Sequence, residues 1–183
     1  MTFYRRHLPH WHPEGASIFL TWRLYGSLPA SVRTAKNGCP TKYSAGKQFK
    51  LLDAALDKCS TGPLWLKEPP IAASIVDIIR KGDSALGYFA LHAFVVMPNH
   101  IHLLITPHIP VPRIMNGIKG SSAHQANAIL SRKGQPFWQD ESFDHWVRSP
   151  KEFDNIRTYI ENNPVSAGMA TAPQDWPWSS CHP

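Results

Sequence analysis

Two apolar runs, ALGYFALHAFVVM (85–97) and HIHLLIT (100–106), are separated only by Pro98 and Asn99. A link this short leaves no room for the crossover that parallel strands need, so the runs are predicted to pair as an antiparallel hairpin. The second run carries His100 and His102, one residue apart. Successive strand residues point to opposite faces, so both imidazoles share one face while Ile101 and Leu103 share the other. Two uses are open to such a pair. They are half-buried histidines bonded to their neighbours, or two nitrogen ligands converging on one metal ion. Pro98 and Asn99 are ordinary turn residues, and the corner they form sets where the histidines emerge.

Around this hairpin the chain alternates between strand and helix signals. The run Ile18 to Tyr25, closed by Gly26, Ser27 and Pro29, reads as the first strand. Residues 31–46 are polar and turn-rich, and 47–59 show a helical apolar period. Residues 70–82 read as a helix, with Pro70 in its first turn, Ile71, Ile75, Ile78 and Ile79 on one face, and Gly82 placed for the C-cap. Residues 110–130 read as a helix containing Gly117 and Gly120, and 137–148 as a turn followed by a strand. The best-marked start is at Ser149, with Pro150 at the first helical position and Glu152 completing a capping box. That helix is expected to stop near Asn163, because Pro164 disfavours helical geometry at the residue before it. The order predicts an α+β fold, a ferredoxin-like antiparallel sheet with helices on one face. A single domain spans 1–183, with 31–69 as an insertion or connector and 170–183 as a C-terminal tail.

Composition narrows the class. Hydrophobic residues make up 43% of the 183, which excludes a disordered chain. No apolar run approaches the roughly 18–20 residues needed to cross a bilayer, so no membrane partner is expected. Arg5 and Arg6 have no apolar segment behind them, which argues against a secretory signal and for a cytoplasmic protein. Cys39, Cys59 and Cys181 are too far apart for a zinc ribbon or a disulfide framework. The net charge of +6 favours a polyanionic partner, and seven Trp offer faces for stacking on unpaired bases.

A second chemical signal lies in TYIENNP (158–164). Tyr159 and Asn163 are four apart on the capped helix and so lie about 40° apart on one face. They could be a packed Tyr and a C-terminal cap, or a nucleophile and a ligand. A phenol with a pKa of about 10 is a weak nucleophile at neutral pH and needs help. A divalent ion gripping the scissile phosphate would provide it. Two imidazoles and an amide oxygen form a mixed donor set that suits Mn²⁺, can host Mg²⁺, and by softness alone would also take Zn²⁺ or Ni²⁺.

MPNHIHLLI, followed by YIENNPVSAGM with Tyr159 57 positions after His102, resembles the HUH single-tyrosine transposases. FWQDESFDHWVRS and the terminal WPWSS resemble their REP-associated branch in particular. The resemblance runs from about residue 15 to 180 and is weakest over 31–69. It implies an enzyme that cuts and rejoins single-stranded DNA at palindromic hairpin sites through a covalent 5′-phosphotyrosine. It implies that Tyr159 is the nucleophile and that His100, His102 and Asn163 hold Mn²⁺ or Mg²⁺. The third ligand of such sites is Gln in some relatives and Asn in others. Ile101 supplies the hydrophobic middle position of HUH.

Candidate DNA contacts are Arg113, Lys119, Arg132, Lys133 and Arg148, with stacking by Trp138 and Trp146. Asp144 and His145 are candidates for a supporting shell, or for a strand-edge ion pair. His108, His124 and the HLPHWH histidines His7, His10 and His12 are not expected to be ligands. No GxxxxGK[ST] loop is present, consistent with chemistry that needs no ATP. The partner expected is hairpin-containing single-stranded DNA, met by a monomer or homodimer. The competing readings are a DNA hairpin-binding protein that does not cleave, and a metal hydrolase that uses water.

Overall fold

In the computed structural model, which describes residues 2–5, 9–28 and 45–182, the short link at Pro98–Asn99 does close an antiparallel hairpin. Its strands are β4 (Phe89–Val96) and β5 (His100–Pro107), while β1 (Thr2–Arg5) and β2 (Pro9–His12) form a separate two-stranded ribbon. The main sheet adds β3 (Ile18–Arg23) and β6 (Phe143–Trp146) in the order β4-β5-β3-β6, all antiparallel. Helix α2 (Pro69–Ser84) joins β3 to β4, and α3 (Val111–Ile129) joins β5 to β6. This is the βαββαβ order of a ferredoxin-like α+β fold, as expected.

The strands divide their residues between two cores. Ile18, Leu20 and Trp22 of β3, Phe94 and Val96 of β4, and Ile101, Leu103 and Ile105 of β5 face α2 and α3. Phe19, Ala93, Val95 and Leu104 face the other way. The expectation of helices on one face therefore holds for the two crossover helices. The second face is apolar too and must also be covered. There α4 (Pro150–Ser166) buries Ile160, and α1 (Ala45–Asp57) brings in Phe49.

Helix boundaries follow local chemistry with two departures. Ser149 caps α4 as read, its Oγ accepting from the Glu152 N–H at 3.2 Å. However, α4 runs on through Pro164 to Ser166 instead of stopping at Asn163. Proline costs one backbone bond there, and the last turn closes beyond it through Ala167 N–H to Asn163 O and Met169 N–H to Pro164 O. Asn163 is thus not a terminal cap but a buried residue inside the helix. Gly82 is likewise inside α2, whose C-cap is Ala85. Its bare Cα lets the Phe89 ring press onto the helix, since a Cβ there would lie 2.6 Å from that ring.

The tail lies along the outer edge of β4. Val96 N–H donates to Trp178 O, Ser180 N–H to Phe94 O, and the Trp176 indole to Val96 O. An edge strand that would otherwise offer unpaired backbone groups is covered by the chain's own end.

Candidate active site and metal centre

His100 and His102 emerge from β5 on the sheet face that α4 and α1 cover, and both are fully buried. Their Nε2 atoms lie 3.1 Å apart. Two nitrogens about 2.1 Å from one ion, at right angles, would be separated by about 3 Å, so the spacing suits a shared cation.

The other ring nitrogens are held from behind. His100 Nδ1 lies 2.7 Å from Asn99 Oδ1, which can only accept, so the proton sits on Nδ1 and Nε2 keeps its lone pair. Asn99 is itself aligned by its Nδ2 donating to Leu56 O at 3.0 Å. Sequence reasoning left Asn99 as a turn residue. Its complete burial and this pair of bonds make it the group that orients His100. His102 Nδ1 meets Thr21 Oγ1 at 2.8 Å. A hydroxyl can donate or accept, so His102 can adopt either tautomer.

Two further elements converge on the pair. From α4, Asn163 is 2% exposed, and its amide nitrogen lies 3.5 Å from His102 Nε2 while Oδ1 has no hydrogen-bond partner. Turning the amide over would place the oxygen where the nitrogen stands. From α1, Asp53 Oδ1 lies 3.2 Å from His102 Nε2 and 3.7 Å from His100 Nε2, and Asp57 Oδ1 lies 3.7 Å from His100 Nε2. The Asp53 contact is a hydrogen bond only when His102 holds its proton on Nε2. That single proton would then serve both Asp53 and His100. A divalent ion in its place could accept both imidazole lone pairs and the Asp53 oxygen at once, and the Asp57 and Asn163 oxygens nearby are also without a hydrogen-bond partner. The cluster Asp53, His100, His102 could therefore hold a metal ion.

Burial shapes the charges. Desolvation, reinforced by His102, pushes His100 down to about 3, so it stays neutral and ligand-ready. Desolvation, with Asp53 adding like-charge repulsion, pushes Asp57 up to about 6. Burial works against ionisation of Asp53, yet His102 and His100 outweigh it and hold that carboxyl below its ordinary range.

Tyr159 is half-buried beside this cluster, its ring 5.5 Å from the His102 ring and edge-on to Phe19 and Phe49. A phenol, two imidazoles, carboxylates and an amide thus meet within one chain.

Residues 68–163, just over half of the chain, match the family described as transposase IS200 like. The chain belongs to the IS200-like transposase family. It is 28% identical over 95 residues to the REP-associated tyrosine transposase of Escherichia coli K12, covering 51% of this chain and 55% of that protein. It is 29% identical over 109 residues to the putative REP-associated tyrosine transposase of Haemophilus influenzae, covering 51% and 60%. The matches therefore span little more than half the length of these curated relatives. In fold, all of the chain superposes on 84% of a REP-associated tyrosine transposase solved bound to a REP hairpin, with TM-score 0.55 and 22% identity.

The match to the IS200-like transposases begins at residue 68, so α1 with Asp53 and Asp57 lies outside it. Reading 31–69 as a connector gave these carboxylates no role. The one available signal was the spacing of Phe49, Asp53, Leu56 and Asp57, which puts all four on one helical face.

The predicted DNA contacts are scattered. Arg113, Lys133 and Arg148 are exposed. Lys119 donates to Gln139 O and Asp140 O, and Arg132 lies over the Trp65 ring. Trp146 is half-buried, with Arg148 over its ring. Trp138 is corrected outright. It is buried, edge-on to Trp22, with its indole donating to Ser122 Oγ, so it is a core residue unable to stack on a base. Of the two readings of Asp144 and His145, a supporting shell or a strand-edge ion pair, His145 makes the ion pair. Asp144 pairs across from Leu20 and so faces the crossover helices, and His145 bonds Glu152 at 2.9 Å. His7 and Cys39, and the side chains of His10 and His12, lie outside the described residues. Among the described residues no helix is long and apolar enough to cross a membrane.

Proposed function

We propose that the protein is a metal-dependent transposase that nicks and rejoins single-stranded DNA, with Tyr159 as nucleophile. The observation that carries this reading is the convergence of the Tyr159 ring on a buried donor set of two imidazoles and an amide, all supplied by one chain. His100, His102 and Asn163 would hold Mn²⁺ or Mg²⁺. A bound divalent ion supplies charge neutralisation at the scissile phosphate. The Tyr159 oxygen attacks phosphorus as the phenol proton is lost. The bond from phosphorus to the 3′-oxygen breaks, and that oxygen takes up a proton to leave as a 3′-hydroxyl. A 5′-phosphotyrosine remains. The ester conserves the energy of the broken bond, so a 3′-hydroxyl can reverse the step without ATP. Phe19 and Phe49 wall the phenol ring and restrict its swing.

The substrate proposed is hairpin-containing DNA. A structural neighbour was solved bound to such a hairpin, and the net charge of +6 suits a polyanion. The exposed cations Arg113, Lys133 and Arg148 are the contacts that remain open to it.

A labelled hairpin oligonucleotide with Mn²⁺ is expected to give a covalent adduct on a denaturing gel. EDTA should abolish it. Tyr159→Phe should lower it by at least about 10³-fold while hairpin binding persists. Cleavage by the Phe variant would overturn the role of the tyrosine. Hairpin binding with no adduct and no cleavage would make the protein a non-cleaving binder. Turnover without an adduct would make it a hydrolase that uses water.

A further inference from the structure

We propose that Asp53 is a further protein ligand of the cation held by His100 and His102, and that cation binding thereby fastens α1 to the sheet. The inference rests on the metal-dependent reading above and adds to it a helix that lies before the family match.

Three observations carry it. First, Asp53 is 3% exposed and directs Oδ1 to 3.2 and 3.7 Å from the two Nε2 atoms, the separation expected of neighbouring ligands on one ion. The unpartnered Oδ1 of Asn163, also buried, lies on the same amide whose nitrogen meets His102. Second, α1 spends its whole inner face on this site. Phe49 meets His102 and Tyr159, Leu56 O receives the Asn99 amide, and Asp53 and Asp57 reach the imidazoles. Third, α1 has few apolar anchors besides Phe49, which packs on Phe19, Phe143, His102 and Tyr159. Leu56 is buried, but Leu51 and Leu52 are 55% and 38% exposed. Asp53 and Asp57, four residues apart, repel each other on the face that meets the imidazoles. A cation turns that repulsion into a tie between α1 and β5.

The test uses the full chain stripped of metal, titrated with MnCl₂. Calorimetry gives the affinity, and hydrogen–deuterium exchange reads residues 45–57. Asp53→Asn, which keeps the side chain's size, is expected to weaken Mn²⁺ binding at least tenfold. Mn²⁺ should slow exchange across 45–57 in the wild type and leave it unchanged in the variant. Equal affinity in wild type and variant would overturn the inference alone. So would wild-type exchange across 45–57 that ignores Mn²⁺, a measurement that stands even if the variant fails to fold. Failure of the wild type to bind Mn²⁺ would overturn the metal-dependent reading as well.

Discussion

At the scale of single residues, the site pairs two buried imidazoles with two carboxylates from one helix face. Asp57 reports the strain of this arrangement. In the metal-free protein its carboxyl is raised from 3.8 to about 6 by burial first and Asp53 second. The folded state therefore keeps a proton that the unfolded state has lost. The stability contributed by this group is present below about pH 4 and falls as pH rises through about 6. Asp57→Asn removes the penalty. In EDTA the variant is expected to be more stable than wild type at pH 8 by on the order of 1–2 kcal/mol, a figure that allows for partial exposure. The gain should vanish by about pH 4. Chemical denaturation at the two pH values checks both halves, and a gain that persists at pH 4 would contradict the assignment. Residues of this kind differ in how readily sequence shows them. His100, His102, Tyr159 and Asn163 stand out because their partners are two or four positions away, within the repeat of one strand or one helix. Asp53 looks like any solvated charge in KQFKLLDAALDKC, because its partners are 47 and 49 positions further along the chain.

At the scale of elements, the same contrast between local and distant causes recurs. The start of α4 was legible, since Ser149, Pro150 and Glu152 satisfy the first turn by themselves. Its end was not, because the turn beyond Pro164 closes through bonds that the proline rule does not consider. Gly82 was misplaced for a related reason. Read locally, a glycine near a helix end is a C-cap, whereas here its purpose is the Phe89 ring on the next strand. Gly82→Ala weighs the two effects. Helix propensity alone would favour alanine by about 1 kcal/mol. A methyl carbon 2.6 Å from a ring that is 1% exposed cannot be relieved without moving the core. The clash should win, with a net loss of about 1–2 kcal/mol. A melting temperature above that of wild type would show that the ring yields.

At the scale of the whole molecule, the order of elements along the chain and the antiparallel α+β class followed from the alternation of helix and strand signals, and the two-sided burial did not. A sheet with two apolar faces needs two layers, but nothing in the sequence of α1 announces which face it covers. The tail adds a long-range term of its own by closing the β4 edge with Trp178 and Ser180. Deleting residues after Ala170 is expected to cost about 3 kcal/mol or more, chiefly from the lost Trp176 and Trp178 packing. It should also leave β4 open to pairing with another chain. Sedimentation velocity over a range of concentrations would detect that association. An unchanged melting temperature and sedimentation coefficient would show that the edge needs no cover.

The order in which the chain supplies its site has a consequence for synthesis. Asp53, His100 and His102 are all made before Tyr159 and Asn163, and β5 can be flanked by β3 and β4 while α4 is still untranslated. A polypeptide that ends between residues 107 and 158 carries the imidazole pair without Tyr159 or Asn163. On the mechanism proposed above such a fragment lacks the attacking residue, so interrupted translation is expected to yield no partial nickase.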